Sequence, residues 1–499
     1  MFERISPEQA GISSDNITKF LSIMERHGAI AHGFLMMKGG KIFAEEYWKP
    51  FDKDFCHRMY SQTKSFVGVA IGLLEEEGKL SLDDKISQYF PEKIDGEPIR
   101  FLQDQTIREM LMMTTVSGGS GWKYQLGDLD KVHFYFNHER KVRPSGTYWQ
   151  YDSSGSQVLC SLVEKLSGKR LLDYMKEKLF NRMGTFQTAT VLQIPCGDSW
   201  GDSALLCTLR DMASFGYFVM HRGVWEGERL MNEEYLSDAI SKLVDNRTQG
   251  YCSMRNYGYG YQIWRIMGNG FAFLGLGNQL TLCYPEKDLL FTYVADDQPQ
   301  TNILREIICG AFLDLIVEPI KERSLPENKA AQKRYEKATK NLKLFAVQGK
   351  ECSPFKKELQ GKVYFCEKNP MGIKKFSFRF KRGATGEFRY TNEQGDKVIP
   401  FGINRNVFGK FPELGYHNDY DGVPTTDGFM HDDAVSFAWA EEKKIILYVQ
   451  IIGRYFGNIS AVFSFKDDAV AVSFTKCAQN FLTEYEGTLV AHRARKSKK

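Results

Sequence analysis

A serine and a lysine three residues apart are the strongest chemical signal in the sequence. Ser61 and Lys64 precede a small and apolar run at 65–74, which predicts a helix buried in a core. Residues three apart share one face of a helix, so the Lys64 amine can stand beside the Ser61 hydroxyl. A serine alcohol needs a neighbouring base, and a lysine provides one when partial burial lowers its pKa. The pair therefore predicts nucleophilic catalysis at Ser61.

This spacing is a weak pattern when it stands alone, because any chain of 499 residues can contain it by chance. The alternative is a helix-capping serine followed by a solvent-exposed lysine. Two later segments favour chemistry. Tyr151 lies in an aromatic and small polar loop, 146–155, from which a phenol can project into a cleft. Gly275 and Gly277 join two predicted strands, where glycine lets a substrate approach the backbone closely.

The predicted helices and strands are ordered so that they can bring these segments together. A first helix near 14–27 and a hairpin around 39–40 are followed by mainly helical patterns from 61 to 250. Strand patterns return between 258 and 295. Strands at both ends of a helical middle predict an α+β domain, 1–320, whose antiparallel sheet is built from the two chain ends and flanked by helices.

A change of composition predicts a second domain. Lysines alternate with acidic residues over 321–345, which indicates a polar connector. Short strand-like runs separated by turn signals then recur over 346–492 and predict an antiparallel β-barrel or sandwich. The last segment, 493–499, is a basic tail of the kind that usually only solubilises a chain end.

Composition limits the classes of function. Hydrophobic content of 42% and charged content of 26% are those of a globular protein. The net charge of +4 comes from the basic tail, so no nucleic-acid-binding surface is expected. The ten cysteines show no zinc spacing, so we expect no metal and no other cofactor. Without an apolar leader or a membrane-length run, we expect a cytoplasmic protein that acts on a small molecule; its oligomeric state stays open.

Three motifs in order carry a family resemblance. Ser61-x-x-Lys64, then Tyr151-x-Ser153, then the glycine-rich motif at Gly275 resemble the serine β-lactamase and penicillin-binding protein superfamily. The similarity points to its class C β-lactamase-related branch, which also holds esterases, D-aminopeptidases and nylon-oligomer hydrolases. It covers about residues 5–320 and includes further similar segments at 79–84, 106–115, 206–216 and 258–264. The C-terminal region, above all 427–430 and 455–458, is similar to the lipocalin-like barrel appended to some members.

The resemblance implies a role for each site residue. Ser61 would be the acylating nucleophile, Lys64 its proton partner, and Tyr151 a general base, a general acid or both. The backbone N–H groups of Ser61 and Leu276 would form the oxyanion hole. The remaining predicted oxyanion and substrate-binding residues are Gly275, Gly277, Ser153 and Gln62.

Two departures from the family pattern bear on the substrate. Ser153 stands where β-lactamases usually have asparagine, and Leu274 stands where a lysine or histidine normally attracts a substrate carboxylate. Both weaken the case for antibiotic hydrolysis. The preferred interpretation is therefore a serine hydrolase that forms an acyl-enzyme on an ester or amide of a small carboxylic acid. The alternatives are a D-amino-acid peptidase or β-lactamase, an acyltransferase, and a non-catalytic ligand-binding protein.

Two other serine-based interpretations compete with this one. Residues 197–201 fit the G-x-S-x-G pattern of a nucleophile elbow around Ser199, but an elbow needs strand, serine and helix without a gap, and Pro195 and Cys196 interrupt here. A loop is favoured instead. His57 lies shortly before Ser61 and could form a serine–histidine pair, but no helix is predicted between them, so a surface or packing role is favoured.

Overall fold

The computed structural model divides the chain into two compact units, Met1–Lys343 and Leu344–Lys499. It describes residues 2–96, 100–117, 130–138, 143–194, 196–247, 253–413, 430–478, 482 and 485–493. Most of the predicted 427–430 motif and the basic tail beyond Arg493 lie outside these residues. No helix in the described part of the chain is both long and apolar enough to span a bilayer.

A seven-stranded sheet forms the centre of the first unit. Its strands are β1 (Glu3–Arg4), β2 (Ala31–Lys38), β3 (Lys41–Tyr47), β9 (Trp264–Ile266), β10 (Gly270–Gly275), β11 (Gln279–Tyr284) and β12 (Leu289–Ala295). They follow the order β1-β3-β2-β12-β11-β10-β9, so N-terminal and C-terminal strands meet at the antiparallel β2–β12 pair, where Phe34 lies opposite Tyr293. This order confirms the α+β prediction of a sheet built from the two chain ends.

Helices of the first unit lie between and around these strands. They are α1 (Ser14–Arg26), α2 (Thr63–Glu76), α3 (Ile107–Leu111), α4 (Lys131–Asn137), α5 (Ser153–Ser167), α6 (Leu171–Met175), α7 (Asn181–Met183), α8 (Leu209–Met220), α9 (Glu233–Ala239), α10 (Thr301–Phe312) and α11 (Lys329–Thr339). Short strands accompany them: β4 (His57–Arg58), β5 (Thr190–Val191), β6 (Leu205–Cys207), β7 (Val224–Trp225) and β8 (Glu228–Arg229). The antiparallel pairing of β4 with β6 ties the chain just before Ser61 to the segment that leads into α8.

The sheet is buried on both faces, which explains the apolar runs in its strands. Along β2, Leu35 and Met37 join one hydrophobic cluster with α2, α5 and α8, whereas Phe34 and Met36 join another with α1 and α10. Successive side chains of a strand point to opposite faces, so a strand covered on both sides must be apolar throughout. The helix that carries Lys64 is therefore held against a rigid layer.

The segment predicted as a connector is part of the first unit. Its helix α11 is tied to α1 by Arg334, whose guanidinium contacts both carboxylate oxygens of Asp15 at 2.8 and 2.7 Å. The hydroxyl of Tyr335 also donates to Glu46 Oε1 at 2.7 Å. These contacts place the boundary between the units after Lys343.

The second unit is a closed nine-stranded β-barrel, one of the two forms, barrel or sandwich, that the strand pattern allowed. It contains α12 (Lys356–Leu359), β13 (Val363–Cys366), β14 (Lys375–Lys381), β15 (Thr385–Asn392), β16 (Gly395–Ile403), β17 (Val407–Lys410), β18 (Asp432–Glu441), β19 (Lys444–Ile452), β20 (Phe456–Lys466), β21 (Ala469–Ala478) and β22 (Gly487–Arg493). Parallel pairing of β16 with β18 closes the ring, and β17 adds to its edge. Alternate residues of β14, namely Phe376, Phe378 and Phe380, point inward, so aromatic rings pack the interior.

Candidate active site

Ser61 lies at a tight turn directly before a buried helix. It occupies the middle of a 3-10 turn, Tyr60–Gln62, that continues into α2. Tyr60 has φ of +47°, a left-handed conformation that is strained for a side chain with a Cβ. The Arg58 guanidinium lies 4.5 Å from the Tyr60 ring centroid, and Thr63 Oγ1 donates to the Tyr60 carbonyl at 2.6 Å. These contacts hold the strained turn and fix where the Ser61 hydroxyl points.

Lys64 reaches Ser61 as the helical spacing predicted. The side chain is 1% exposed, and its Nζ donates to Ser61 Oγ at 3.1 Å. The same amine donates to the backbone carbonyl of Asp202 at 2.6 Å and lies 3.5 Å from Asp202 Oδ2. Asp202 is therefore a residue of the site that the sequence analysis missed, because no local spacing links it to Lys64. It fixes the amine where a proton can pass to or from Ser61.

Tyr151 completes the predicted catalytic group. Lys64 Nζ lies 5.1 Å from the centroid of its ring. The Trp264 ring stacks on the Tyr151 ring, with centroids 5.7 Å apart and planes inclined by 21°. The next residue, Asp152, caps α5 by accepting from the Gly155 N–H at 3.0 Å. The cap fixes the chain at Tyr151, and the structure thus brings Ser61, Lys64 and Tyr151 together.

The glycine-rich motif packs directly on the nucleophile turn. A Cβ built on Gly275, at the end of β10, would lie 2.4 Å from the Met59 carbonyl oxygen, so only glycine permits this approach. Leu276 follows in the turn to β11, where Gly277 has φ of +69°. The side chain of Gln279 steadies that turn by donating to the Leu276 carbonyl at 2.9 Å and the Ala295 carbonyl at 2.7 Å. Leu276, the predicted oxyanion residue, therefore directly follows Gly275, the residue that contacts the nucleophile turn.

Gln62 and Ser153 lie in buried positions around this group. Gln62 Oε1 accepts from Thr281 Oγ1 of β11 at 2.7 Å, which ties the nucleophile turn to the sheet. Ser153 is the first residue of α5, and its side chain is also buried. Both positions favour a role in holding the site together. The assignment of Gln62 and Ser153 to substrate binding stays a prediction.

Two arginines near Tyr151 had no signal in the sequence. The Arg255 guanidinium lies 5.3 Å from the centroid of the Trp264 ring, the ring that stacks on Tyr151. Arg305 of α10 is only 6% exposed, and within the described residues its Nε has no hydrogen-bond acceptor. Burial and the neighbouring Arg255 lower the pKa of Arg305 to about 10, and an ionised Tyr151 would act in the opposite direction. Two cationic side chains therefore lie in the neighbourhood of Tyr151 and Trp264.

Comparison with known proteins agrees with this arrangement. The family described as Beta-lactamase matches residues 19–306, a span that contains Ser61, Lys64, Tyr151 and Gly275. The chain belongs to the beta-lactamase family. This finding confirms the resemblance drawn from the three motifs and identifies a hydrolase family of the beta-lactamase fold.

Two relatives and one solved structure show how similar this chain is to other proteins of the beta-lactamase family and fold. The 6-aminohexanoate-dimer hydrolase of Paenarthrobacter ureafaciens is 23% identical over 305 residues, which are 56% of this chain and 77% of that protein. Penicillin-binding protein 4* of Bacillus subtilis is 27% identical over 149 residues, 28% of this chain and 32% of its own. The solved octameric penicillin-binding protein homologue from Pyrococcus abyssi covers 96% of this chain and 99% of its own, with 18% identity and a TM-score of 0.50, and shows a similar fold.

Ser199 does not stand on the elbow that its motif suggested. It lies in the loop between β5 and β6, where Ile194 N–H donates to the Asp198 carbonyl at 2.9 Å to form a turn. A nucleophile elbow requires a strand that runs into the serine and a helix that leaves it. The same loop leads to Asp202, so in this beta-lactamase family member it supports Lys64.

His57 faces away from the catalytic group. Its Nε2 lies 2.8 Å from Nδ1 of His32, and its Nδ1 lies 3.1 Å from the Arg58 carbonyl oxygen. Burial lowers the pKa of His57 to about 3, so the ring is neutral at physiological pH. The sequence left a surface role and a packing role open, and these contacts in a buried position favour packing.

Proposed function

We propose that this protein is a serine hydrolase that forms an acyl-enzyme at Ser61 on an ester or amide of a small carboxylic acid. The observation that carries the proposal is the 3.1 Å contact from Lys64 Nζ to Ser61 Oγ, with the Tyr151 ring 5.1 Å from the same amine. A nucleophile needs a base within hydrogen-bonding reach and a third group that orients the base. Here Asp202 orients Lys64.

Acylation uses the pair of Lys64 and Tyr151 as one proton acceptor. Ser61 Oγ bonds to the substrate carbonyl carbon while its proton passes to the pair. The carbonyl oxygen becomes an oxyanion that the N–H groups of Ser61 and Leu276 stabilise. Collapse of this intermediate breaks the bond to the leaving group, and the alcohol or amine departs with the proton held by the pair.

Deacylation repeats the steps with water as the nucleophile. Tyr151 accepts the proton of the attacking water, and Ser61 takes a proton back as the acid departs. An alcohol or amine in place of water would make the same site an acyltransferase.

Leu274 supports a neutral acyl group over a β-lactam or a D-amino-acid peptide. The side chain is 5% exposed and packs in a hydrophobic cluster, so this position presents no charge to a substrate carboxylate. The relative from Paenarthrobacter ureafaciens is named for hydrolysis of 6-aminohexanoate dimer, which favours short-chain amides as the first amide substrates to test.

Turnover of short acyl p-nitrophenyl esters, combined with labelling by a fluorophosphonate, tests the proposal. We expect Ser61→Ala to lose the label and to lower kcat by at least about 1,000-fold, since removal of a nucleophile costs this much or more in serine enzymes. Ser199→Ala is the matched control and should retain both the fluorophosphonate label and the ester turnover.

Two outcomes would overturn the assignment. Label that persists in Ser61→Ala, or that maps to Ser199, would move the nucleophile elsewhere. Failure of the wild-type chain to turn over any ester, amide or β-lactam would instead favour a ligand-binding protein of this fold.

A further inference from the structure

A second cavity in the first unit shares no lining residue with the candidate active site. Its volume is about 490 Å³, within the range of small-molecule pockets, and it lies where the β2–β3 hairpin meets α8. Its lining residues include Phe2, Gly40, Thr185, Tyr217, Trp225 and Glu226. The proposed hydrolysis makes no use of these residues.

Three aromatic side chains form one corner of this cavity. The ring centroids of Phe2 and Tyr217 are 5.9 Å apart, those of Phe2 and Trp225 are 5.8 Å apart, and those of Tyr217 and Trp225 are 6.0 Å apart. The corresponding planes meet at 70°, 73° and 85°, so the three rings stand nearly at right angles to one another. His221 lies against Tyr217 with centroids 4.0 Å apart, so only part of that ring is left for a guest. Aromatic faces attract a cation within about 6 Å of the ring centroid.

Two carboxylates that line the cavity, Asp211 and Glu226, have no ion-pair partner among the residues that the structure describes. The other charged groups are paired: Lys41 lies 2.7 Å from Glu3, and Arg210 contacts Glu45 at 2.7 and 2.8 Å, although Glu45 is shared with Arg4. Asp211 accepts hydrogen bonds from the backbone N–H groups of Phe186 and Thr208, whereas the Glu226 side chain is exposed at the rim. The cavity therefore combines aromatic walls with a free negative charge.

Glu226 also occupies an unfavourable backbone position. It has φ of +48° and the next residue, Gly227, has φ of +85°, so the two form the tight turn of the β7–β8 hairpin. Asparagine and glycine are preferred where both turn residues have positive φ, and glutamate is strained there. Strain retained beside a cavity is typical of a functional position.

We propose that this cavity binds a small organic cation, whose alkylated ammonium group lies against Phe2, Tyr217 and Trp225 and is balanced by the carboxylate of Glu226. Alkyl groups on the nitrogen suit the aromatic walls, which cannot accept ordinary hydrogen bonds. Thr185 also lines the cavity, and its buried hydroxyl oxygen has no hydrogen-bond partner among the described residues. The inference is independent of the proposed hydrolase activity.

Choline and its uncharged isostere 3,3-dimethylbutan-1-ol test the proposal on the full chain by isothermal titration calorimetry. The two probes have the same shape and differ in the charge of the central atom. We expect choline to bind at least tenfold more tightly, the ratio that a cation–π and carboxylate site implies. Glu226→Gln should weaken choline binding about three- to tenfold, and Trp225→Leu should weaken it further. Tyr217→Phe keeps the ring and is the matched control, which should bind within twofold of wild type.

A further variant separates loss of the site from loss of the fold. Glu226→Gly relieves the strained backbone, so it should raise the thermal midpoint while it weakens choline binding. Equal binding of the two probes, or no saturable binding of choline by the wild-type chain, would overturn the proposal. So would unchanged choline affinity in the well-folded Glu226→Gln and Glu226→Gly variants.

Discussion

At the scale of single residues, Lys64 shows how one buried side chain organises the site. Its amine contacts Ser61 on its own helix turn and Asp202 on a distant loop, and it faces the ring of Tyr151. A buried ammonium is costly unless it is hydrogen-bonded, and these contacts meet that requirement. Lys64 can therefore stay beside the Ser61 hydroxyl in a position that solvent does not reach.

The buried pair of His57 and His32 should make the first unit sensitive to acid. Burial lowers the pKa of His57 to about 3, while an unfolded histidine titrates near 6.5. The unfolded chain therefore binds the proton first, and stability that is present above about pH 6.5 is lost as the pH falls towards 3. Between pH 7 and pH 5 we expect His57→Gln to lose less stability than wild type, by up to about 2 kcal/mol.

Urea unfolding of both proteins at the two pH values measures this difference. His27→Gln is the control, because His27 is exposed and should not alter the pH dependence. Parallel loss of stability in wild type and His57→Gln would contradict the prediction.

At the scale of elements, the site depends on the contact between the nucleophile turn and the end of β10. The turn is held from one side by Gln62, which is bonded to β11, and from the other by Gly275 against the Met59 carbonyl. The sheet therefore fixes the distance between the serine and the strand that supplies the second predicted oxyanion N–H.

Gly275→Ala should separate these two elements. The added Cβ would lie 2.4 Å from the Met59 oxygen, so the backbone must shift. A displacement of about 1 Å in a catalytic arrangement can lower the rate about 100-fold, and we expect a fall of this size in kcat/KM. Steady-state kinetics with a p-nitrophenyl ester provides the measurement.

Gly310→Ala is the matched control for this substitution. It lies in α10, where a Cβ would meet nothing within 4 Å, so the alanine should stabilise the chain by about 0.5–1 kcal/mol without altering kinetics. Activity of Gly275→Ala within threefold of wild type would show that the close approach does not matter for catalysis.

At the scale of the whole molecule, the two units have separate cores. Both hydrophobic clusters of the first unit are drawn from residues before Leu344, and the barrel fills its interior with its own aromatic side chains. The family match at 19–306 also falls within the first unit. Each unit therefore contains what it needs to form a compact structure.

We expect residues 1–343 to fold without the barrel. The fragment should unfold cooperatively on heating and retain Ser61-dependent labelling, because its sheet is complete. A fragment that ends at residue 320 is the matched comparison: it lacks α11 and its contacts from Arg334 and Tyr335, so its thermal midpoint should be lower. An aggregated or non-cooperative 1–343 fragment would show that the first unit depends on the second.

The sequence by itself determined the features that depend on short spacing. Ser61 and Lys64 meet because helical geometry brings residues three apart to one face, and short strand-like runs between turn signals predicted an antiparallel barrel or sandwich. Only the tertiary structure decided that Asp202 reaches Lys64 from 138 positions away and that Arg305 stands near Tyr151. It also decided that Phe2 meets Trp225 at the second cavity. These contacts follow from how the layers pack on the sheet, and no local periodicity encodes them.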